Sequence, residues 1–273
     1  MYKLEVLIAT MFKENKDDII DLLNIMNINS DAVVVSQCNK NGLEKFDYKN
    51  NKITCIYSIE RGLSKSRNLA LNYANADIII IADDDLCYND NYNETVIKAH
   101  TVHPEFDILT FNVNNNKKYP SFEKKMDRLS IHNVGSNEIT MKLASVKNIS
   151  FNILFGAGSS YFQCGEEIIF LNTCLNKKKE VMHIPQKIGY LCENSRPSTW
   201  FTSFNKEYMI SHGAIYYELS HFLALPYILQ FAIRKFTLYK KDINIFSAIY
   251  YMLFGISKYK KILSNNKGSD RIL

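Results

Sequence analysis

The sequence lacks the features that mark non-globular chains. It has only 5 prolines and 10 glycines in 273 residues, no repeat of the kind found in fibres, and 47% hydrophobic residues, too many for a disordered protein. Its 6 cysteines are scattered and form no Cys-x-x-Cys pair, so they support neither a zinc knuckle nor a disulfide scaffold and favour a reducing compartment. The length suits one large α/β domain with an appendage, or two small domains.

Long apolar runs are also missing. The N-terminus has neither the apolar segment nor the small-residue cleavage site of a signal peptide, and residues 4–9 predict a first strand instead. Two apolar stretches near the C-terminus, residues 222–233 and 243–256, fall short of the roughly 20 residues that cross a bilayer. Basic residues flank both stretches, which favours helices lying at a membrane surface. Helices packed on the domain, or an oligomer contact, stay open as alternatives.

The net charge of +5 is unevenly distributed. Residues 213–273 hold nine Lys or Arg and three acids, whereas residues 1–212 hold 24 basic and 25 acidic residues. A neutral body argues against nucleic-acid binding, and a basic, apolar tail indicates an anionic membrane surface as partner. We therefore predict a cytoplasmic protein that is peripheral at the inner face of the cell membrane.

Strand and helix patterns alternate through the first 113 residues. The predicted strands cover residues 4–9, 32–36, 53–59, 77–82 and 107–113, and the predicted helices cover residues 17–26, 63–74 and 91–102. This alternation predicts an α/β fold with a Rossmann-like, mostly parallel sheet flanked by helices and followed by a C-terminal helical tail. Ligands in such sheets bind at the carboxyl ends of the strands.

An acidic triplet stands at one of these strand ends. Asp83, Asp84 and Asp85 directly follow the apolar run Ile78-Ile79-Ile80-Ile81-Ala82, which lacks alternation, as expected of a strand covered on both faces. In an extended chain Asp83 and Asp85 share a face, and their repulsion requires compensation by a cation or by hydrogen bonds. Mn²⁺ or Mg²⁺, held by one or two carboxylates and phosphate oxygens, would supply it. The alternative is a solvated turn that caps the next helix.

A basic, glycine- and serine-containing segment opens the preceding helix. The segment Arg61-Gly62-Leu63-Ser64-Lys65-Ser66-Arg67-Asn68 would place free N–H groups and positive charge at a helix N-terminus, where phosphates bind. Taken alone, Ser64 could be only an N-cap and Arg67 only a solvated charge.

These motifs, with Gly156-x-Gly158-Ser159 and Gly165-Glu166-Glu167-x-x-Phe170-Leu171, resemble in order and spacing the bacterial family 2 (GT-A fold) glycosyltransferases. The resemblance covers roughly residues 1–200. It implies that the acidic triplet binds a nucleotide sugar and its metal, and that an acid heading a later helix is the base of an inverting transfer.

The resemblance also implies roles for single residues. Asp83 would contact the ribose and take part in metal binding, Asp84 would lie near the donor sugar, and Asp85 would bind the metal. Thr10 and Gln37 would face the base, and Arg67 the base or the diphosphate. Glu167, with Glu166 beside it, would act as the catalytic base, since attack on an anomeric carbon needs a carboxylate to take the acceptor proton. The alternative to a catalytic role is that both acids only interact favourably with the helix dipole.

The acceptor side would be formed by Gly158, Ser159 and Trp200, although core packing of Trp200 is equally compatible with the sequence. Two departures from the family pattern stand out. The second strand ends in Gln37 rather than the Asp that often reads the base, and no His occurs in residues 191–200, where relatives often carry one as a metal ligand. Glu193 is a candidate substitute.

The sequence thus predicts a glycosyltransferase domain over residues 1–212 and a basic, apolar tail over residues 213–273. Residues 1–113 would bind the nucleotide sugar and residues 114–212 the acceptor. We expect sugar transfer from a nucleotide-diphosphate donor, a UDP-sugar above all, to a saccharide or lipid-linked saccharide in bacterial surface polysaccharide synthesis, with homo-oligomers an open possibility. The alternative is an inactive, transferase-like binding subunit of a polysaccharide assembly complex.

Overall fold

The computed structural model describes residues 2–113, 117–192 and 203–266. The chain divides into two compact units. Unit 1 comprises Met1–Phe151 and Phe170–Arg196, and unit 2 comprises Asn152–Ile169 and Pro197–Leu273.

The described chain contains strands and helices in alternation up to residue 191 and helices thereafter. The strands are β1 Leu4–Met11, β2 Asp31–Gln37, β3 Gly42–Tyr48, β4 Asn51–Ser58, β5 Ile78–Asp83, β6 Leu86–Tyr88, β7 Ile108–Asn112, β8 Lys124–Lys125, β9 Ile139–Lys142, β10 Val181–Lys187 and β11 Gly189–Leu191. The α-helices are α1 Lys16–Ile25, α2 Leu63–Tyr73, α3 Tyr92–Val102, α4 Leu143–Val146, α5 Glu166–Asn176, α6 Lys206–Leu219, α7 Ala224–Arg234, α8 Phe236–Tyr239 and α9 Ile245–Asn266. Two 3₁₀ turns cover Ser130–Asn133 and Ser136–Glu138.

Unit 1 is built on a nine-stranded sheet in the order β3-β4-β2-β1-β5-β9-β7-β10-β8. Its four central strands β4, β2, β1 and β5 are parallel, as the alternating pattern predicts. Strands β6 and β11 form a separate antiparallel pair. The predicted α/β class is therefore confirmed, with a parallel centre inside a mixed sheet.

Both faces of the parallel centre are covered, which explains the uninterrupted apolar run of β5. Ile78 and Ile80 belong to one core cluster, together with the inner faces of α1 and α3. Ile79 and Ile81 belong to a second cluster, which contains residues of α2, such as Ala70. Since successive side chains of a strand point to opposite faces, a strand buried on both sides has no polar positions to alternate with.

The pairings of strands β3, β9 and β10 were not predicted. Strands β3 and β4 form a hairpin whose turn residues, Lys49 and Asn50, have φ angles of 47° and 66°, the left-handed conformation of a tight two-residue turn. Strand β9 lies between β5 and β7 and is antiparallel to both. Strand β10 pairs parallel to β7 near the far edge of the sheet.

The described residues of unit 2 are mostly helical from Lys206 onward, and glycines allow two of these helices to cross closely. A Cβ atom at Gly213 of α6 would lie 1.8 Å from the carbonyl oxygen of Met252 on α9. A Cβ atom at Gly255 of α9 would lie 2.1 Å from the carbonyl oxygen of Ile210 on α6. The predicted boundary between residues 212 and 213 falls inside α6, whereas the assignment of functions to the two predicted parts stays a prediction.

The two apolar stretches of the tail form α7 and much of α9, as the sequence predicts. None of the helices in the described part of the chain combines the length and the apolar character that crossing a bilayer requires.

Candidate active site

The carboxyl ends of three parallel strands bring the predicted donor-binding residues of unit 1 together. Strand register pairs Met11 with Gln37 across β1 and β2, and Ala9 with Asp83 across β1 and β5. Thr10 therefore stands between the ends of β2 and β5. Neighbouring strands lie about 4.8 Å apart, so polar side chains at these ends share one edge of the sheet.

The three carboxylates of the triplet have separate partners. Asp83 accepts hydrogen bonds from Arg67 Nη2 at 2.8 Å and from the Ser136 hydroxyl at 3.1 Å. Asp84 accepts a hydrogen bond from the Thr10 hydroxyl at 2.6 Å. The triplet is therefore oriented by side chains from other elements and is not a freely solvated turn.

Asp85 differs from its two neighbours because one of its carboxylate oxygens has no hydrogen-bond partner among the described residues. Its Oδ1 is buried and accepts no hydrogen bond from the described residues. Burial raises the pKa of Asp85, the charges of Asp83 and Asp84 raise it further, and hydrogen bonding from its own backbone and from Asn137 opposes the rise. Ionised, this carboxylate needs a cation.

The carboxylates of the triplet fit Mn²⁺ or Mg²⁺, provided that other ligands complete the coordination of the ion. Carboxylate oxygens are the ligands that these ions prefer, and Asp85 offers one without a partner. The residues described here contain no group of three His, Cys, Asp or Glu side chains that would enclose a metal ion. The ion would thus complete its coordination with water and with oxygens of a bound phosphate, which is how Mg²⁺ usually binds at nucleotide sites.

The entry to α2 is fixed by a side chain from β2. Gly62, with a φ of 120°, precedes the helix and donates its backbone N–H to Gln37 Oε1 at 2.8 Å. Few residues other than glycine adopt this conformation. Gln37 is thus buried in a contact that holds the helix N-terminus, and its predicted contact with a base stays a prediction.

Arg67 is the predicted donor-binding residue with the least exposure, at 1%. Its guanidinium lies over the ring of Phe151, 5.5 Å from the centroid, as well as against Asp83. The guanidinium thus orients the Asp83 carboxylate, and its predicted contact with the base or the diphosphate stays a prediction.

Four residues at this edge were not among the predicted site residues. Asn137 accepts the backbone N–H of Asp83 at 2.7 Å, and Ser136 contacts the same residue's carboxylate. Both lie in the turn before β9, and no local pattern marks them. Arg61 donates to the Cys38 carbonyl oxygen at 2.8 Å, and its guanidinium lies 5.9 Å from the ring centroid of Phe12.

Phe12, the fourth of these residues, has a strained backbone conformation, which the sequence could not show. It is a bulky residue with a φ of 60°, and its side chain is 59% exposed at the end of β1. Such strain in a large residue is costly and occurs more often at functional sites than elsewhere.

The glycine-containing loop of unit 2 is held by its own hydrogen bonds. Gly156 and Gly158 have φ angles of 108° and 76°, which favour glycine at both positions. The hydroxyl of Ser159 donates to the carbonyl oxygen of Leu154 at 2.8 Å and accepts from the backbone N–H of Tyr161 at 3.2 Å. Ser159 thus shapes the loop, and contacts of Gly158 and Ser159 with an acceptor stay predictions.

The predicted catalytic acids open helix α5, as the sequence indicates. Glu166 and Glu167 occupy its first turn, after Gly165 with a φ of 88°. Glu166 is 6% exposed, whereas Glu167 is half-buried. The two charges raise the pKa of the buried Cys164 thiol, although burial is the larger cause. Trp200 and Glu193 lie outside the described residues.

Comparisons with known proteins agree with the resemblance. Residues 40–160 match the model of "Glycosyl transferase family 2". No curated protein matches the chain significantly. Among solved structures, S. aureus TarS residues 1–349 in complex with UDP-GlcNAc superpose with a TM-score of 0.60 at 15% identity, over 97% of this chain and 92% of that one. The same TarS fragment with UDP gives a TM-score of 0.56 at 15% identity, over 98% and 92%.

A structure from another organism gives a weaker match. The mannosyltransferase PcManGT from Pyrobaculum calidifontis, in complex with GDP-Man and Mn²⁺, has a TM-score of 0.50 at 10% identity, over 97% of this chain and 75% of that one. At such identities these structures establish the fold alone. Residues 40–160 are therefore similar to glycosyl transferase family 2, and the fold of the chain is that of the GT-A glycosyltransferases.

Proposed function

We propose that the protein is an inverting, metal-dependent glycosyltransferase that moves a sugar from a UDP-sugar to an acceptor hydroxyl. The observation that carries the proposal is the acidic triplet at the end of β5. Three adjacent carboxylates are positioned by different partners, and one buried oxygen of Asp85 has none among the described residues. Carboxylates oriented in this way, with Asp85 partly desolvated, are typical of a site for a cation and a phosphate.

The donor would lie over the carboxyl ends of β1, β2 and β5, where ligands of open α/β sheets bind. TarS binds UDP-GlcNAc and UDP, and PcManGT binds GDP-Man with Mn²⁺. These complexes support a nucleotide sugar as donor, and the two TarS complexes favour uridine. Thr10 and Gln37 would border the base, Asp83 the ribose and Asp84 the sugar. Arg67 would hold Asp83 in position.

Asp85, with Asp83 beside it, would hold the Mn²⁺ or Mg²⁺ ion. When bound, the ion supplies positive charge that neutralises the diphosphate as it leaves. The N-terminus of α2 would also favour binding of the donor's phosphates, since backbone N–H groups at a helix N-terminus attract phosphate oxygens.

Glu167 would act as the catalytic base, and its greater exposure supports it over Glu166. A carboxylate in the first turn of a helix is favoured in its ionised form by the helix dipole, as a base at neutral pH requires. Glu167 would take the proton of the acceptor hydroxyl while that oxygen bonds to the anomeric carbon. The bond from this carbon to the diphosphate oxygen breaks on the opposite face, so the configuration inverts.

Gly158, Ser159 and Trp200 would border the acceptor. The acceptor class we propose is a saccharide or lipid-linked saccharide of a bacterial surface polysaccharide, met at the cytoplasmic face of the membrane. The basic, apolar C-terminal part of the chain supports this location.

A two-step experiment tests the proposal. The protein is first screened for thermal stabilisation by a panel of nucleotide sugars with and without Mn²⁺, because a ligand raises the apparent stability of the folded state that binds it. We expect stabilisation by a UDP-sugar that depends on the metal. If no nucleotide sugar in a broad panel stabilises the protein, the proposed function is wrong.

The second step measures hydrolysis or transfer of the donor found in the screen. Glu167→Gln should keep donor binding and lower turnover by at least about 100-fold, as expected for loss of a general base. Glu207→Gln is the matched control because Glu207 is an exposed acid in the first turn of another helix, α6. Equal losses in both variants would show that Glu167 contributes only to helix stability.

A further inference from the structure

Helix α7 carries apolar side chains on its buried face and also on a neighbouring face that the described part of the chain leaves exposed. Its inner face is buried in the core of unit 2 through Ile228, Phe231 and Ala232. Phe231 stacks on Tyr239, and the Tyr239 hydroxyl donates to the Ala232 carbonyl oxygen. The helix is thus fixed by one face, which leaves the other face pointing away from that core.

The outer face consists of large apolar side chains. Leu225, Leu229 and Ile233 follow each other at four-residue spacing and therefore form one stripe along the helix. Apolar residues before and after the helix are exposed as well, with Phe222 at 94% and Leu238 at 58%. We call this set the α7 surface: Phe222, Leu223, Leu225, Pro226, Leu229, Ile233, Phe236 and Leu238. Contiguous exposed apolar groups of this kind mark an interaction site.

All charged side chains in the segment 219–241, which contains the α7 surface, are positive. Arg234, Lys235, Lys240 and Lys241 are exposed at its C-terminal end. The sequence contains no Asp or Glu between Glu218 and Asp242. A segment with large exposed apolar groups, four cations and no acid of its own is complementary to an apolar phase bordered by negative charge.

We propose that the α7 surface docks the protein onto an anionic lipid bilayer. The stripe formed by Leu225, Leu229 and Ile233 enters the boundary between headgroups and acyl chains, and the four cations contact the anionic headgroups. This inference names the surface that would hold the proposed transferase at a membrane, but its test does not depend on the transferase activity.

The charges favour lipid over a second copy of the chain. In a twofold-symmetric dimer the same patch faces itself, so the second copy brings the same four cations and, from residues 219–241, no acid that would pair with them. Like charges brought together in an interface oppose association. An anionic bilayer, in contrast, attracts each of them.

Vesicle flotation with the full chain tests the proposal. We expect the protein to float with vesicles of phosphatidylcholine containing about 30% phosphatidylglycerol, and at least about tenfold less with phosphatidylcholine alone. Raising the salt from about 0.1 M to about 0.5 M should weaken flotation because it shortens the screening length. Absence of flotation, or equal flotation with neutral vesicles, would overturn the proposal.

Paired variants separate the apolar contribution from a general effect of exposed side chains. Leu229→Ser with Ile233→Ser should lower binding to the anionic vesicles by at least about tenfold, because two apolar side chains no longer leave water. The control is Leu43→Ser with Val102→Ser, two comparably exposed apolar residues of unit 1. Circular dichroism verifies that each variant is folded. An equal loss in the control contradicts the proposal.

A second pair tests the cations. Lys240→Gln with Lys241→Gln should lower binding by about thirtyfold, whereas the exposed Lys98→Gln with Lys147→Gln should leave it within about twofold. Sedimentation velocity without vesicles tests whether a second copy of the chain covers the α7 surface instead. A wild-type dimer that the Leu229 and Ile233 variant converts to monomer, together with no vesicle binding, would assign the surface to a second copy and overturn the proposal.

Discussion

Replacing Asp85 by Asn should change the stability of the free protein and its metal-dependent donor binding in opposite directions. Burial and the charges of Asp83 and Asp84 raise the pKa of Asp85. A folded-state pKa above the unfolded value means that the ionised carboxylate at pH 7 is less favourable in the folded chain. Asn has nearly the same shape and no charge, so Asp85→Asn removes that cost.

The expected size of each effect follows from the position of the side chain. Relief of desolvated like-charge repulsion should stabilise the metal-free protein by about 1 kcal/mol, or about 2–4 °C in melting temperature. Asp85 also supplies the carboxylate oxygen that lacks a hydrogen-bond partner among the described residues. Its loss should weaken metal-dependent binding by at least about 100-fold, the upper end of what loss of an outer-shell partner costs.

Thermal unfolding of the protein with and without donor and Mn²⁺ measures both effects. At a donor concentration of about 100 times its Kd, the wild type gains about 2.7 kcal/mol, a shift of roughly 5–10 °C. With binding weakened by about 100-fold, Asp85→Asn gains only about 0.4 kcal/mol, or about 1 °C. Removing the metal with a chelator should bring the wild type to the same small shift.

Asp21→Asn provides the control because Asp21 is an exposed carboxylate on α1. It should change neither the melting temperature of the free protein nor the shift with donor and metal. The reasoning would be refuted by an Asp85→Asn variant that is less stable than the wild type without metal. It would equally be refuted by a variant that keeps the full metal-dependent shift.

Three further predictions concern the framework of the two units. Arg67→Met should destabilise unit 1 by about 2 kcal/mol in urea unfolding, less than the 3–5 kcal/mol typical of a broken buried pair because the Asp83 side chain is 30% exposed; no measurable loss would contradict the assigned ion pair. His100 is buried, and desolvation lowers its pKa to about 3, below the ordinary value of the unfolded chain. The unfolded state therefore binds more protons, so His100 should contribute a loss of about 2 kcal/mol between pH 7 and pH 5, in addition to that of His212, whose pKa desolvation lowers to about 4; His100→Gln should reduce the total loss by about 2 kcal/mol, whereas the exposed His221→Gln should leave it unchanged. Gly213→Ala should cost at least about 3 kcal/mol in chemical denaturation because the new methyl group meets a backbone oxygen of α9 at 1.8 Å, and a cost below about 1 kcal/mol would show that α6 and α9 do not cross so closely.

The local pattern of the first 113 residues was sufficient to predict the parallel centre of the sheet. Strands β1, β2, β4, β5 and β7 and helices α1, α2 and α3 lie where the apolar spacing places them, within a few residues. Strand β3 was not predicted because four of its seven residues are exposed and three are charged, as is common in an edge strand. Strand β9 has only four residues, too few to show a period.

The part of the candidate site that consists of residues adjacent in the sequence could be predicted. An acidic triplet directly after an apolar strand must lie at that strand's carboxyl end, which is where the structure has Asp83, Asp84 and Asp85. The partners of these carboxylates were only partly predictable. Thr10 and Arg67 were expected at the site as contacts of the donor, which stays a prediction, and only the structure shows that they also hydrogen-bond to the triplet.

The sequence by itself therefore determined the order of the elements, the buried strand and the acids at its end, since each depends on residues adjacent in the chain. Only the tertiary structure decided that β9 enters the sheet beside β5 and brings Asn137 to Asp83, residues 54 positions apart. It alone decided which face of α7 is covered, because both faces are apolar and hydrophobic burial has no direction of its own. Contacts between distant segments depend on how complete elements pack, and no local period encodes that choice.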